Sequence, residues 1–429
     1  MDLVILIGSF FVMLFLGIPI AFTLCLSSIL YLVLYTNIPL IIVAQQLLKG
    51  VDSFTLLAIP FFVIAGCLMQ GGGISRRIVD FARKLVGWIP GGMAVVDIVA
   101  SMIFAAMTGA GAATTAAVGG IMIPYMEEDG YDPGFASAIQ TVGGVFGPII
   151  PPSILMVLYA VASNESVSDM LLAGLIPGLL LGLILLLVVV AQCIKKGYRG
   201  AGKFELGAAI KSFGHAFFAL LAPVIILGGI YSGKTTPTEA SAICCFYCLV
   251  IGLFVYREIK LKDVCKIVYG GVKSAAGIML IVAATQVFGW VITRAGIPQN
   301  IATMFTSSIS SPLMFILSVV VILLVAGCFI DAVPALLIFA PIFCPTAQAY
   351  GINLVYFGVV MVIVLCIGLA TPPVGINLYV ASSVGGQPVH KIIPHLPIPL
   401  LAIFIGTMIV ILIPDIVIFL PNLMNGAAG

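Results

Sequence analysis

Two clusters of prolines interrupt long apolar stretches of this chain, and they constrain its fold more than any other feature. The first is Gly-Pro-Ile-Ile-Pro-Pro-Ser at 147–153, inside an apolar run over 134–163. The second is Thr-Pro-Pro-Val-Gly at 371–375, which follows 221 residues later when Pro151 is matched to Pro372. Proline lacks the backbone donor that a helix interior needs, and its ring clashes with the preceding turn. Both runs therefore predict helices that break part-way along.

The composition places these breaks inside a membrane. Of the 429 residues 62% are apolar and 8% are charged, and the mean hydropathy is +1.28, which excludes a water-soluble protein. The apolar runs are continuous rather than alternating, so membrane helices are favoured over strands of a barrel. Helix broken at membrane depth is tolerated only where the freed backbone groups are buried in protein or line a cavity. Each break is therefore a candidate binding site.

Several classes of site and function are not expected. The ten cysteines and three histidines have no metal-ligand spacing in a polar loop, which argues against a structural or transition-metal site. No histidine lies in a broken segment and no two aspartates pair within the membrane, so we do not expect an enzyme. We expect no organic cofactor and no nucleic-acid partner. The first apolar stretch lacks a basic start and a cleavage site, and is interpreted as a membrane helix rather than a signal peptide.

Basic residues give the orientation. By the positive-inside rule, the basic clusters at 76–84, 195–211 and 257–273, together with Lys391, are cytoplasmic. The number of crossings agrees with this only if two long apolar segments, 94–126 and 312–349, are re-entrant hairpins that turn at 108–111 and 327–334. The first hairpin then enters from the cytoplasm and the second from outside, with both chain termini outside.

The halves are therefore predicted to be inverted repeats, and this arrangement with paired broken helices is typical of secondary transporters. The fold class is an all-α polytopic membrane protein with two inverted-topology repeats, each with a re-entrant helical hairpin and a proline-broken transmembrane helix. We divide the chain into two scaffold segments and two transport segments, which alternate along the sequence. The scaffold segments are 1–70, with an interfacial arm at 37–54, and 204–294, with an interfacial arm at 258–274. The transport segments are 71–203, with hairpin 94–126 and broken helix 134–163, and 295–429, with hairpin 312–349 and broken helix 354–383.

The paired breaks suggest what is bound. Unwound carbonyls with nearby hydroxyls suit Na⁺, and the N-terminal ends of the half-helices after the breaks suit a substrate carboxylate. We predict two sodium ions held mostly by backbone at Thr108, Gly109, Gly111, Gly147, Pro148, Pro151, Phe329, Asp331, Ala370, Thr371 and Pro372. The predicted substrate-binding residues are Thr108, Ala110, Pro152, Ser153, Arg294, Pro373 and Gly375. Asp331 has an alternative role as a helix cap at the second hairpin tip. Arg294 has an alternative role in which its side chain extends to the membrane interface.

Several motifs resemble the large membrane subunit of tripartite ATP-independent periplasmic (TRAP) transporters over essentially the whole chain. They are Thr-Gly-Ala-Gly at 108–111, Ala-Ala-Val-Gly at 116–119, Ile-Met-Ile-Pro at 121–124, Ile-Pro-Pro-Ser at 150–153, Thr-Pro-Thr-Glu-Ala at 236–240 and Ala-Thr-Pro-Pro-Val-Gly at 370–375. The family's first tip often has Ser-Gly-Ser, and Ala110 lacks the second hydroxyl, which favours ligation by backbone there.

The resemblance implies a Na⁺-coupled importer of an organic acid, of the sialic acid or C4-dicarboxylate type, that works by an elevator motion in the bacterial inner membrane. It also implies two protein partners, a small four-helix membrane subunit and a periplasmic substrate-binding protein. The alternative is a stand-alone Na⁺/dicarboxylate or ion symporter of related architecture that needs no binding protein.

Overall fold

The computed structural model describes residues 2–200, 204–309 and 311–426, and every regular element within these ranges is helical. In this part of the chain six helices are long and apolar enough to cross a membrane, or eight when each of two bent helix pairs is one span. The prediction of an all-α polytopic membrane protein is therefore confirmed. The predicted domain boundary after residue 203 and the chain ends at 1 and 427–429 lie outside the described residues.

The first half of the chain begins with two helices, which separate where Gly17 has a φ of +81° and Pro19 caps the second helix. Its helices are α1 (Asp2–Phe15), α2 (Ile20–Tyr35), α3 (Ile41–Val51), α4 (Ala58–Gly71), α5 (Ile74–Val86), α6 (Gly92–Thr108), α7 (Gly111–Glu128), α8 (Pro133–Gly143), α9 (Ile154–Ser163) and α10 (Val167–Lys196). Single 3₁₀ turns lie at Thr55–Leu57 and Gly144–Phe146.

The second half follows the same plan with fewer interruptions at its start. Its helices are α11 (Leu206–Tyr231), α12 (Pro237–Val250, continued by a π turn at Ile251–Val255), α13 (Leu261–Arg294), α14 (Ile297–Ser308), α15 (Pro312–Phe329), α16 (Ala332–Ala349), α17 (Leu354–Leu369), α18 (Ile376–Gly385), α19 (Val389–Ile392), α20 (Pro397–Leu412) and α21 (Asp415–Gly426). A 3₁₀ turn at Ile393–His395 precedes α20.

Three local features go beyond what the sequence patterns define. The segment 258–274, where an interfacial arm is expected, is continuous with the rest of α13 because no proline interrupts that helix, whereas α3 bends by 65° from the segment Thr55–Gly71. Helix α20 ends at Leu412, since Pro414 stops it, and α21 begins anew. The basic cluster at 76–84 lies on the amphipathic helix α5.

The repeat predicted from the sequence is reproduced by the helix boundaries. Shifted by 221 residues, α7 superimposes on α16 and the start of α8 on the start of α17. Helices α6 and α9 match α15 and α18 to within one residue at either end. Each half also carries a cis peptide bond at the same place in its break, Pro151–Pro152 and Pro372–Pro373. Both halves therefore contain a helical hairpin followed by a broken helix.

Contacts between the two broken helices show that the halves are inverted. At one end, the Tyr159 hydroxyl of α9 donates to the carbonyl of Leu354, the first residue of α17, at 2.8 Å. At the other end, Asp132 before α8 contacts His395, which follows α18 and α19, with 3.0 Å between Oδ1 and Nε2. The second broken helix therefore begins where the first one ends, and the two run in opposite directions.

The helices that precede the breaks form the interior. Every residue of α17, and every residue of α8 from Gly134 to Gly143, is buried. Around them the halves pack crosswise, with α7 on α18 and α16 on α9. Helices α1, α2 and α11 instead expose large apolar side chains such as Phe15, Phe22 and Leu206, as lipid-facing helices do. The two breaks are thus surrounded by protein at the centre of the helix bundle.

Candidate functional site at the paired breaks

One cavity of about 150 Å³ lies where the two hairpin tips meet the two breaks. We call it the central cavity. Its wall combines both tips, both broken helices and α13, and consists of Gly109, Ala110, Gly111, Ala112, Pro148, Ile154, Leu155, Ile278, Asp331, Ala332, Val333, Leu369, Ile376 and Asn377. Five of the residues predicted from the sequence line it, namely Gly109, Ala110, Gly111, Pro148 and Asp331. The structure thus brings together elements that are far apart in the sequence.

The first hairpin tip is a backbone turn that rests directly on the first break. Helix α6 ends at Gly109, whose φ of +63° favours glycine, and Ala110 is extended before α7 begins at Gly111. A side chain on Gly109 would place its Cβ 2.6 Å from the Pro152 carbonyl oxygen. The backbone N–H of Ile154 donates to the Gly109 carbonyl at 3.3 Å. The tip and the break therefore form one continuous hydrogen-bonded surface.

Hydroxyl groups around the first tip already have partners. Thr108 is buried, and its Oγ1 lies 2.9 Å from Thr114 Oγ1. Ser153 is the N-cap of α9, since its Oγ accepts from the Met156 N–H at 3.1 Å, and it donates to the Pro148 carbonyl. These contacts fix the backbone of the break. They leave the unwound main chain, rather than free hydroxyls, facing the central cavity.

The second tip repeats this arrangement with a carboxylate added. The Val374 N–H donates to the Cys328 carbonyl at 3.1 Å, as Ile154 does to Gly109 in the first half. Asp331 is the N-cap of α16 and accepts from the Ala332 N–H at 2.7 Å. It also lines the central cavity, so capping and facing a ligand are both compatible with its position.

A pair of equivalent glycines allows each tip to approach its break. Gly147 and Gly368 occupy the same position in the two repeats. A Cβ on Gly147 would lie 2.5 Å from the Ala110 oxygen, and a Cβ on Gly368 would lie 2.6 Å from the backbone of Gly327. Real Cβ atoms do not approach this closely. Only glycine therefore permits the backbone-to-backbone contact at both places.

Asn377 was missed by the sequence analysis. Its side chain is fully buried in the first turn of α18, lines the central cavity, and has no hydrogen-bond partner for either amide atom. The amide lies against the backbone of the first half, because a Cβ on Gly111 would be 3.0 Å from its oxygen and a Cβ on Gly144 would be 3.0 Å from its nitrogen. The signal that could have identified it is a polar side chain at membrane depth, at the position where the other repeat has the apolar Met156.

Most of the other predicted residues support the cavity from outside its wall. Thr371 donates to the Ile367 carbonyl at 2.7 Å, Phe329 is 56% exposed, and Gly375 caps α18 with a φ of +42°. Thr108, Gly147, Pro151, Pro152, Ser153, Ala370, Pro372 and Pro373 likewise belong to the tips and breaks and are not part of the wall.

Arg294 lies apart from the central cavity. It is exposed at the end of α13, which reaches the cavity at Ile278. The rise along a helix puts about 24 Å between these two residues.

Asp97 is fully buried within the first hairpin and lies 2.5 Å from the Gln140 amide nitrogen when that amide faces it. Neither side chain lines the cavity.

Comparison with known proteins agrees with the resemblance. Residues 7–416 match the family described as "Tripartite ATP-independent periplasmic transporter, DctM component". The chain belongs to this family. It is 39% identical to the sialic acid TRAP transporter large permease protein SiaM of Vibrio cholerae, over 96% of this chain and 97% of that protein. It is 41% identical to the C4-dicarboxylate TRAP transporter large permease protein DctM of Pseudomonas aeruginosa, over 92% and 93%.

Two further comparisons concern fold and chain organisation. This TRAP subunit is similar to the crystal structure of the Alcanivorax borkumensis YdaH transporter, with a TM-score of 0.59 and 14% identity over 87% of each chain, which supports the fold alone. It is also 37% identical to an isethionate TRAP transporter permease protein DctMQ of Oleidesulfovibrio alaskensis, over 95% of this chain and 64% of that longer protein. These relatives are membrane permeases and not enzymes.

Proposed function

We propose that this TRAP large permease imports an organic acid of the sialic acid or C4-dicarboxylate type, coupled to Na⁺. The observation that carries the proposal is the central cavity, where two hairpin tips and two proline breaks meet at the repeat interface. The named substrates of similar proteins are sialic acid for SiaM and C4-dicarboxylates for DctM, and both are organic anions. The substrate of this chain is therefore proposed as a class, the organic anions of these two types, and not as a single compound.

Two sodium sites are proposed, one in each repeat. The first uses the backbone of Thr108–Gly111 and of Gly147–Pro151, and the second uses Phe329–Asp331 with Ala370–Pro372. Hard cations prefer oxygen ligands, and unwound carbonyls near half-helix ends coordinate Na⁺ in transporters of this kind. Asp331 adds a carboxylate to the second site alone. The two sites therefore differ in charge.

The substrate carboxylate is proposed to bind at the N-terminal ends of α7 and α18. These ends present unpaired backbone N–H groups and the positive end of the helix dipole to the cavity. The Asn377 amide lies between them and supplies a donor and an acceptor. Ala110, Pro152, Ser153, Pro373 and Gly375 shape the two turns, whereas Arg294 is too far along α13 to share the same carboxylate.

The moving part is proposed to comprise the hairpins and the broken helices. Their crosswise packing makes them one unit, with α7 against α18 and α9 against α16. The proposed scaffold of α1–α4 and α11–α13 is also connected internally, since α13 packs against α2, α3 and α4. An elevator motion would slide the first unit along the second. The small membrane subunit would stabilise the scaffold, and a periplasmic binding protein would deliver the substrate.

Membrane orientation is included in the proposal. The bacterial inner membrane would hold the chain with its basic segments on the cytoplasmic side, including α5 and the start of α13. Both termini would then be periplasmic, with the first hairpin open to the cytoplasmic side and the second to the periplasmic side.

Uptake into proteoliposomes tests this function. The chain is reconstituted with its small subunit and binding protein, and uptake of labelled sialic acid and succinate is measured with Na⁺ or with an equal concentration of choline outside. We expect uptake of one substrate class in Na⁺ and loss of it in choline. Uptake that is unaffected by replacing Na⁺ would contradict the coupling, and uptake by this chain alone would favour the stand-alone symporter.

A further inference from the structure

A second and larger cavity lies at the C-terminal ends of α9 and α13 and beside α16. It encloses about 440 Å³, and we call it the vestibule. Its polar wall is formed by α3, the end of α9 and one face of α13, through Lys49, Asn164, Thr285, Gln286, Trp290 and Thr293. The volume is within the range of sites that bind small molecules. The vestibule lies between the proposed scaffold and the proposed moving part.

The vestibule is stacked on the central cavity. On each of three helices, a residue of the cavity is followed one turn later by a residue of the vestibule: Leu155 by Leu158, Ile278 by Val282, and Val333 by Leu337. The three residues on the vestibule side are almost completely buried, with exposures of 1%, 7% and 5%. They therefore form a thin apolar partition, about one helical turn deep, between the two spaces.

The charge of the vestibule favours an anion. Among its lining residues in the described part of the chain, Lys49 is the only one with a formal charge, and it is exposed. A cation at the mouth of a cleft with low-dielectric walls raises the local concentration of anions. The basic residues at the start of α13 are at the opposite end of that helix from Trp290 and Thr293. The vestibule therefore faces away from the basic side of the molecule.

We propose that the vestibule is a receiving site for the organic anion, in which Lys49 holds its carboxylate before it crosses the partition into the central cavity. This proposal rests on the proposed function, because it assumes that the cargo is an anion arriving from the non-basic side. Gln286, Thr293 and Asn164 supply hydrogen bonds to a polyhydroxylated or dicarboxylate ligand, and Trp290 supplies an apolar face. Passage requires Leu158, Val282 and Leu337 to separate.

Trp290 provides a direct optical test, because the chain has only two tryptophans. In a Trp88→Phe background, selective excitation of tryptophan over the tyrosines gives fluorescence from Trp290 alone. We expect iodide to quench it more strongly than caesium does, and Lys49→Gln to lower the iodide quenching constant by about two- to three-fold, which corresponds to a local potential of about kT. Lys49→Arg should keep the stronger quenching by iodide than by caesium. Quenching by acrylamide, which is uncharged, should be equal in all variants. Iodide quenching that Lys49→Gln leaves unchanged would overturn the assignment of Lys49.

Obstruction of the vestibule tests the route. Gly289 lines it, and a Cβ there would meet no atom within 4 Å, so Gly289→Trp introduces a large side chain into the vestibule without a clash at its Cβ. Gly270 on the same helix is equally open but lies outside the vestibule, so Gly270→Trp is the matched control. In the reconstituted three-component transporter we expect Gly289→Trp to lose uptake of labelled sialic acid or succinate and Gly270→Trp to retain it.

Na⁺-dependent uptake that survives in Gly289→Trp, or that both variants lose equally, would overturn the vestibule as the route. A failure of the proposed function itself looks different, since wild-type uptake would then not respond to the replacement of Na⁺.

Discussion

The hydroxyl of Tyr159 joins the two halves of the molecule, because it donates to the carbonyl of Leu354 at 2.8 Å in a fully buried position. The ring of Tyr159 occupies the space that a side chain on Gly358 would need. Tyr159, which belongs to the helix after the first break, thus fixes the start of the second broken helix. This contact therefore connects the inverted repeats at a place distant from the hairpin tips.

A methyl group on Gly358 should be destabilising for this reason. We expect Gly358→Ala to cost about 1–3 kcal/mol, as overpacking in a well-packed core does, and to lower the Tm of the purified protein in detergent. Gly228→Ala is the control, since a Cβ on Gly228 meets no atom within 4 Å. Equal melting temperatures for the two variants would show that the ring of Tyr159 has room to move.

Asn377 should show opposite effects on stability and on transport. Its buried amide lacks partners, and an unsatisfied buried polar group costs about 1–3 kcal/mol. We expect Asn377→Leu, which has the same branching at Cγ but no polar atoms, to raise the Tm while uptake is lost. Met156→Leu, at the equivalent position of the other repeat, should change neither by much. A variant that is both less stable and inactive would indicate a purely structural role for Asn377.

The paired glycines at the breaks should be equally intolerant of substitution. We expect Gly147→Ala and Gly368→Ala each to separate a hairpin tip from its break and to abolish uptake, since both would force a Cβ into backbone atoms. Gly120→Ala in α7 is the control, because its Cβ would make only an ordinary contact at 3.8 Å with Val384. Uptake and expression are measured together. Wild-type uptake by either break variant would show that the tip is not held at that place.

Ser153 should act through the geometry of the break. Replacement by alanine removes the cap of α9 and the bond to the Pro148 carbonyl, and we expect a loss of about 1 kcal/mol together with a higher Na⁺ concentration for half-maximal uptake. Ser153→Thr keeps the hydroxyl and should restore most of the Na⁺ affinity. An unchanged Na⁺ dependence in Ser153→Ala would remove this residue from the sodium site.

The elements that could be predicted from the sequence were those fixed by local chemistry. Prolines at 148, 151 and 152 cannot continue a helix, so the break was evident, and the matching cluster at 372 and 373 located its partner. Basic residues on either side of the long apolar segments indicated the two hairpins. The predicted turn at 108–111 contains the observed turn at Gly109 and Ala110. These signals act within a few residues and need no knowledge of packing.

The remaining features depend on contacts between distant regions of the chain. That Asn377 is buried against Gly111 and Gly144 follows from the crosswise packing of α18 on α7, which no local pattern encodes. The distance of Arg294 from the central cavity follows from the uninterrupted length of α13. The charge of the cluster at 76–84 indicates the side of the membrane, whereas its place on the amphipathic helix α5 depends on the surface against which that helix packs.

The crosswise packing of the halves has a consequence for biosynthesis. Helix α9 leaves the ribosome long before α16, which covers it and begins only at Ala332. The first tip and α10 cover part of the break and of α9 from within the first half, but the face of α9 that α16 later covers has no protein partner at that stage. Until the second hairpin is inserted, we expect lipid or an insertion factor to shield that face, and a chain that stops at the end of α13 to be more sensitive to membrane proteases than the complete chain.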